Sequence, residues 1–202
     1  MQRIARHLKN LILITGSAKS GKSELAEKIA GDSKGPVFYL ATMPILDEDP
    51  ELLYKIETHR KRRPESWQTI EEETGIENAI DGLNNQASTC IIDCLSLYVS
   101  NIMLSETLEN EKAWFEEVNK QIDELLACIG RNEKIFFLVV SNEVGWSVVP
   151  DNKQARLYRD LLGIANQKTA SQADQVYLCV SGVTVKIKAD NIDLFGYNKP
   201  GV

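Results

Sequence analysis

The feature that most constrains this chain is the apolar segment LILIT, residues 11–15, which leads directly into the glycine-rich stretch GSAKSGKS. Residues 16–23 match the pattern G-x-x-x-x-G-K-[S/T] in full, and the helix-forming SELAEKIA follows at once. In this order of strand, loop and helix, the glycines let backbone amides point inward at phosphate oxygens, and the helix N-terminus adds positive charge. The sequence therefore predicts a phosphate-binding loop in which Lys22 reaches the β and γ phosphates of a nucleotide and Ser23 ligates Mg²⁺.

Short β-branched or aromatic runs alternate with helical patterns along the rest of the chain. The predicted strands are residues 11–15, 37–41, 89–93, 134–141, 175–180 and 183–188. Between residues 115 and 129, apolar positions three and four apart mark one helical face, and Leu157, Leu161 and Ala165 repeat that spacing. The pattern predicts an α/β fold with a mostly parallel sheet covered by helices on both faces and a C-terminal hairpin. We expect one domain over residues 1–188 and an appended arm or tail over 189–202.

Composition limits the classes of partner. Twenty-nine acidic residues against 23 Lys and Arg give a net charge of −6, the wrong sign for a protein that coats nucleic acid or an anionic membrane. The longest unbroken apolar run, residues 135–140, is far shorter than the roughly 20 residues of a membrane-spanning helix. The apolar stretch near the N-terminus is also too short for a signal peptide, so we expect a cytoplasmic protein.

The four cysteines are scattered along the chain. Cys90, Cys94, Cys128 and Cys179 form no C-x-x-C pair, and three of them lie in or beside strand-like segments. Zinc sites need closer ligand pairing, so this spacing favours buried, reduced thiols.

An acidic residue follows the apolar run TCIID, at Asp93. A phosphate-binding loop usually works with a carboxylate at the end of a neighbouring strand, which holds Mg²⁺ directly or through water. Asp93 also precedes the helical LSLYVSNIML, where it would act as a helix N-cap. We favour the metal role, which makes Ser23 and Asp93 the candidate metal ligands.

The segment IETHRKRRPESW places His59, one of only two histidines, against four consecutive cations. Residues 50–63 have a helical pattern that Asp49 caps and Pro64 ends. His59 continues the apolar stripe of this helix and is predicted to face inward.

Three interpretations of this segment compete. A basic helix end is most often a solvated terminus matched to the helix dipole. A nucleic-acid patch is disfavoured by the net charge and by the lack of interleaved aromatic residues. In the third interpretation, the cations bind a triphosphate and His59 attacks a phosphorus atom. Four neighbouring positive charges lower the pKa of an imidazole and keep it nucleophilic, and they also stabilise a departing pyrophosphate.

Several separate motifs resemble the bifunctional adenosylcobinamide kinase / adenosylcobinamide-phosphate guanylyltransferase family of cobalamin biosynthesis. They are ITGSAKSGKS, YLATM, IETHRKRRPESWQTIEE, IIDCLSLYVSN and the long stretch VSNEVGWSVVPDNKQARLYRDLLGIANQKTASQADQVYLCVSG. The resemblance runs from about residue 11 to 188. It implies a P-loop NTPase fold of the recombinase-like type and a homotrimer with the active site near a subunit boundary.

The resemblance also assigns roles to individual residues. It makes His59 the guanylylated residue and, with Lys22, the catalytic pair. The residues that it implies for nucleotide binding are Gly16, Ser17, Ala18, Lys19, Ser20, Gly21, Lys22, Ser23, Ala41, Thr42, Met43, Arg60, Lys61, Arg62, Arg63, Glu71 and Asp93. Ser17 and Lys19 depart from the usual loop residues, and Ser147 stands where the pattern usually has a second glycine. Glu143, which follows a strand, either acts in the reaction, by assisting phosphoryl transfer or holding Mg²⁺, or fixes its own loop by accepting backbone hydrogen bonds.

The resulting hypothesis is an enzyme with two reactions. It phosphorylates adenosylcobinamide with ATP or GTP and Mg²⁺, and then transfers GMP from GTP through His59 to give adenosylcobinamide-GDP. The alternatives are a P-loop kinase of another small molecule, in which His59 only packs, and a nucleotide-switch or nucleic-acid module that uses the HRKRR run.

Overall fold

A computed structural model of the chain describes residues 8–43, 60–105 and 107–188. Its strands are β1 (Leu8–Gly16), β2 (Val37–Ala41), β3 (Gln68–Glu71), β4 (Ser88–Asp93), β5 (Ile135–Val140), β6 (Ala173–Val180) and β7 (Val183–Lys188). They form one sheet in the order β3-β2-β4-β5-β1-β6-β7. All neighbouring strands are parallel except the antiparallel pair β6 and β7. The mostly parallel sheet and the C-terminal hairpin are therefore confirmed.

Helices cover both faces of the sheet. They are α1 (Lys22–Gly31), α2 (Ile76–Asp81), α3 (Leu95–Ser105), α4 (Glu111–Arg131) and α5 (Lys153–Gln172). α1 packs Ala26 and Ala30 against one face, while the other four helices pack on the opposite face. β1 serves both layers because its apolar residues alternate between them, with Ile14 facing α1 and Leu13 facing the larger core.

The predicted elements agree with the observed ones except in four places, one of which is the short helix α2, for which no helix was predicted. The edge strand β3 was not predicted, because QTIE is mostly polar and exposed; backbone pairing with β2 and the packing of Ile70 hold it. Of the helix predicted over residues 50–63, Arg60 and Lys61 are helical and the part up to His59 lies outside the described residues. The predicted tail, residues 189–202, also lies outside them.

The four cysteines are buried and form no disulfide, as predicted. Burial raises the pKa of the Cys90 thiol to about 12 and that of Cys94 to about 11, so both stay protonated and unreactive at neutral pH. In the ranges that the structure describes, no helix is long and apolar enough to cross a membrane.

Gly16 is the position where the backbone tolerates a side chain least. It has a φ of +148°, and a Cβ there would lie 2.2 Å from the carbonyl oxygen of Cys179. We expect Gly16→Ala to lower the free energy of unfolding by about 2 kcal/mol or more, measured by urea denaturation. Gly163→Ala, on α5, is the control: no atom lies within 4 Å of the new Cβ, so it should stabilise by roughly 0.5–1 kcal/mol. Equal stabilities of the two variants would contradict this account.

Candidate active site

The loop after β1 has the geometry of a phosphate cradle. Gly21, at the N-terminus of α1, has a φ of +96°, and Lys19 also takes a left-handed conformation, with a φ of +55°. Neighbouring segments hold the loop at both ends: the Glu143 amide donates to the Gly16 carbonyl at 3.0 Å, and the Gly182 amide donates to the Ser20 carbonyl at 3.0 Å. The loop is therefore fixed between the ends of β5 and β6, with the α1 N-terminus behind it.

Lys22 is the buried cation of this loop. Its Nζ donates to the Ser17 carbonyl at 2.6 Å, and only 7% of the residue is exposed. Burial lowers the pKa of the ammonium, and the nearby Asp93 carboxylate opposes that shift. The charge is thus held inside the loop, where the sequence predicts the β and γ phosphates.

Asp93 ends β4 at the same edge of the sheet, because parallel strands bring their carboxyl ends together. Its Oδ2 accepts a hydrogen bond from the Tyr39 hydroxyl of β2. Burial raises the pKa of Tyr39, and Asp93 adds to the effect, so the hydroxyl remains a neutral donor at any working pH. Among the described residues, the Asp93 carboxylate accepts no amide of α3, which argues against the N-cap role.

Thr42 joins the ends of β2 and β4. Its hydroxyl donates to the Cys94 carbonyl at 2.9 Å and accepts from the Cys94 amide at 2.7 Å. Its own carbonyl accepts from Asn101 at 2.7 Å, and the residue is fully buried. Thr42 therefore fixes the backbone beside Asp93, while the neighbouring Ala41 and Met43 are half-buried at this edge.

The basic segment ends against this site. Arg62 forms salt bridges with Glu24 at 2.7 Å and Glu27 at 3.7 Å, both on α1. Glu24 lies two residues after Lys22, in the first turn of α1. The cations that follow His59 are thus brought next to the phosphate-binding loop.

Two further cations of the segment contact the outer strands. Arg60 pairs with Glu71 at the end of β3. Arg63 lies over the Tyr39 ring, 3.3 Å from its centroid, and its Nη1 donates to Thr69 at 3.3 Å. The Nε of Arg63 is buried with no hydrogen-bond partner among the described residues. Arg63 contacts the Tyr39 ring, and the Tyr39 hydroxyl donates to Asp93. Tyr39 therefore connects the basic segment to the candidate metal ligand.

Glu143 fixes its own loop, but it does so through two side-chain donors and not through the backbone hydrogen bonds expected above. Its Oε1 lies 3.3 Å from both the Thr15 hydroxyl and the Asn166 amide, which donate to it. Asn166 in turn donates to the Asn142 carbonyl at 3.0 Å. These contacts tie the end of β5 to the strand that leads into the phosphate loop.

The structure brings together most of the predicted residues. The carboxyl edge of the sheet holds the loop residues 16–23, residues 41–43 and Asp93. At the border of this edge lie Arg60, Arg62, Arg63 and Glu71. His59 is outside the described residues. Sequence reasoning missed Tyr39, Glu24 and Glu27. Tyr39 reads as an ordinary apolar strand residue, and the two glutamates read as a solvated helix face, so no signal in the sequence distinguished them.

The strand, loop, helix and adjacent carboxylate define a P-loop nucleotide-binding protein of the α/β class. The fold agrees with that of a solved structure described as a prototypical ATPase from the type III secretion system of pathogenic bacteria. The two align with a TM-score of 0.51 at 10% identity, over 91% of this chain and 58% of the other.

The sequence comparisons identify the family. A family model described as cobinamide kinase / cobinamide phosphate guanyltransferase matches residues 12–187. The chain is 38% identical to the bifunctional adenosylcobalamin biosynthesis protein CobU of Escherichia coli (strain K12), over 88% of this chain and 99% of the relative. It is 36% identical, with the same coverage, to the protein of that name from Salmonella typhimurium. This chain belongs to the cobinamide kinase / cobinamide phosphate guanyltransferase family.

Proposed function

We propose that this chain phosphorylates adenosylcobinamide and then transfers GMP to the product through a covalent intermediate on His59. The observation that carries the proposal is the Arg62–Glu24 salt bridge, which sets the end of the basic segment beside the loop that holds Lys22. His59 directly precedes Arg60 in the sequence, so the proposed nucleophile belongs to the segment whose described cations pair with Glu24 and Glu71.

In the kinase step, the loop amides and Lys22 hold the triphosphate of ATP or GTP. The substrate hydroxyl attacks the γ phosphorus, and the bond to the β–γ bridging oxygen breaks. Lys22 stabilises the charge that develops on the transferred phosphoryl group, with no reorganisation since its position is already fixed by Ser17.

Ser23 and Asp93 would hold Mg²⁺ in this step. Tyr39 occupies only Oδ2 of Asp93, and Oδ1 accepts no hydrogen bond from the described residues, so one carboxylate oxygen is available. Mg²⁺ in nucleotide sites is held by one or two carboxylate or hydroxyl oxygens, with phosphates and water as the other ligands, which this donor set fits. When bound, the ion neutralises charge on the β and γ phosphates.

In the guanylyl-transfer step, an imidazole nitrogen of His59 attacks the α phosphorus of GTP and pyrophosphate leaves. A phosphate oxygen of adenosylcobinamide phosphate then attacks the same phosphorus, and the N–P bond breaks to give adenosylcobinamide-GDP. Arg60, Lys61, Arg62 and Arg63 would draw in the triphosphate and stabilise the departing pyrophosphate. The pairing of Arg60 with Glu71 and of Arg62 with Glu24 sets their positions beforehand.

A labelling experiment tests the covalent step. The protein is incubated with GTP labelled at either the α or the γ phosphate, without corrinoid, and then denatured in base. We expect α label, but not γ label, to remain with the protein and to be released by mild acid, as for a phosphoramidate. Absence of retained α label would reduce the function to a kinase without transfer through histidine.

The homotrimer that the family resemblance implies, and the cytoplasmic location, remain predictions. Sedimentation velocity with and without GTP tests the first. A monomer at micromolar concentration would contradict it.

A further inference from the structure

The loop between β5 and α5 presents three apolar side chains to solvent. Trp146 is 70% exposed, Val148 91% and Val149 56%. These three residues, called the apolar platform below, lie within four consecutive positions of one loop. Apolar groups that are clustered and exposed mark binding surfaces more often than scattered ones do.

Both ends of this loop are pinned. At its start, the Asn142 backbone carbonyl accepts from Asn166 at 3.0 Å, and the side-chain Nδ2 of Asn142 donates to the Ser96 hydroxyl at 2.8 Å. At its end, Arg156 donates to the carbonyls of Pro150 and Asp151, at 2.9 and 2.6 Å. These hydrogen bonds fix the backbone at both ends of the loop that carries the platform, as a preformed ligand site requires.

The interior of the loop is also held. The Ser147 hydroxyl donates to the Val144 carbonyl at 3.1 Å, and Val144 packs against the main core. Ser147, which departs from the family pattern, thus contributes to the turn that places Trp146 outside. With this turn in place, the three side chains of the platform remain exposed to solvent.

The platform is close to the phosphate loop. Glu143 donates its backbone amide to Gly16, and Trp146 follows three residues later. Three peptide units span at most about 11 Å between Cα atoms, so Trp146 lies within that distance of Glu143. The platform is therefore within reach of a large substrate whose hydroxyl lies at the γ phosphate.

We propose that the apolar platform binds the corrin ring of the substrate during phosphorylation, an inference that rests on the cobinamide kinase activity. A corrinoid carries its reactive hydroxyl on a short flexible arm, so its macrocycle must lie one arm's length from the phosphate loop. The macrocycle has a conjugated ring system and ring methyl groups, which suit contact with an indole and two valines. The loop is continuous with the nucleotide site, which favours this occupant over a second copy of the chain.

Steady-state kinetics tests the proposal. Trp146→Ala and Val148→Ala should raise KM for cobinamide, the former about tenfold, as for loss of an aromatic anchor. The kcat at saturating cobinamide and the Kd for GTP should stay near wild type, and Trp146→Phe should restore most of the affinity. Val185→Ala is the matched control, since Val185 is also an exposed valine, 52% exposed, but lies on β7 on the other side of β1.

Fluorescence gives a readout that does not depend on turnover. In a Trp67→Phe/Trp114→Phe background, Trp146 is the remaining tryptophan, and its emission overlaps corrinoid absorption. Saturable quenching by cobinamide is expected, and linear quenching without saturation would overturn the proposal. An unchanged KM for cobinamide in Trp146→Ala would also overturn the proposal. If that variant instead changed its sedimentation without a change in KM, the surface would be assigned to contact with a second copy of the chain. Failure of the wild type to phosphorylate cobinamide would instead count against the kinase activity. The quenching titration separates failure of the kinase activity from failure of the platform proposal, because it measures binding without turnover.

Discussion

His59→Ala is expected to abolish guanylyl transfer while cobinamide phosphorylation continues within about threefold of the wild-type rate. The reason is that His59 supplies the nucleophile of the first half-reaction, and loss of a covalent nucleophile typically costs at least about a thousandfold. Phosphorylation does not use the imidazole, because the substrate hydroxyl attacks the γ phosphorus directly. The measurement is the separate quantification of adenosylcobinamide phosphate and adenosylcobinamide-GDP by chromatography.

The chain supplies its own control, since His7 is the only other histidine. His7→Ala should form both products at wild-type rates, and it should retain the α label of GTP that His59→Ala loses. Guanylyl transfer by His59→Ala at more than a few per cent of the wild-type rate would show that histidine is not the nucleophile.

Lys22→Met is expected to lower kcat/KM for phosphorylation by about a hundred- to a thousandfold, the usual loss when one preorganised cationic or hydrogen-bonding contact is removed. Methionine keeps an unbranched apolar stem only one atom shorter than this 7%-exposed side chain, so the loop should keep its fold. The measurement combines initial rates with the Kd for GTP from isothermal titration calorimetry. If a single phosphate loop serves both reactions, GMP transfer falls with phosphorylation, whereas separate sites leave it unchanged.

Lys28→Met is the matched control, because Lys28 is an exposed lysine in the last turn of the same helix. It should leave both reactions and nucleotide binding near wild type. Phosphorylation by Lys22→Met within tenfold of this control would contradict a role for the ammonium in transition-state stabilisation.

The sheet was predictable because its strands carry their own signal. β1, β2, β4 and β5 are short apolar runs between helical patterns, as strands buried on both faces must be, and the observed pairing is parallel. β3 carries no such signal: three of its four residues are polar and exposed, only Ile70 packs against the core, and the backbone ladder with β2 pairs the strand. A sequence pattern predicts elements that bury several side chains better than those held mainly by backbone hydrogen bonds.

The candidate site divides in the same way. The phosphate loop was readable because backbone conformation demands glycine at fixed spacings, and Gly16 and Gly21 do take the positive φ values that such residues permit. The partners of the basic segment were not readable. Arg62 meets Glu24 and Glu27 across 38 and 35 residues of sequence, a pairing that depends on how the chain returns to α1.

By itself, the sequence determined the strand–loop–helix unit, the apolar layers and the placement of Asp93 at a strand end, because local periodicity and glycine spacing encode them. Only the tertiary structure decided that Tyr39 donates to Asp93 and lies under Arg63, and that Lys22 is enclosed by its own loop. The physical reason is that the Tyr39 contacts join residues far apart in the chain, while the Lys22–Ser17 contact is local but exists only in the folded conformation of the loop. The charges involved matter only after folding has removed them from water.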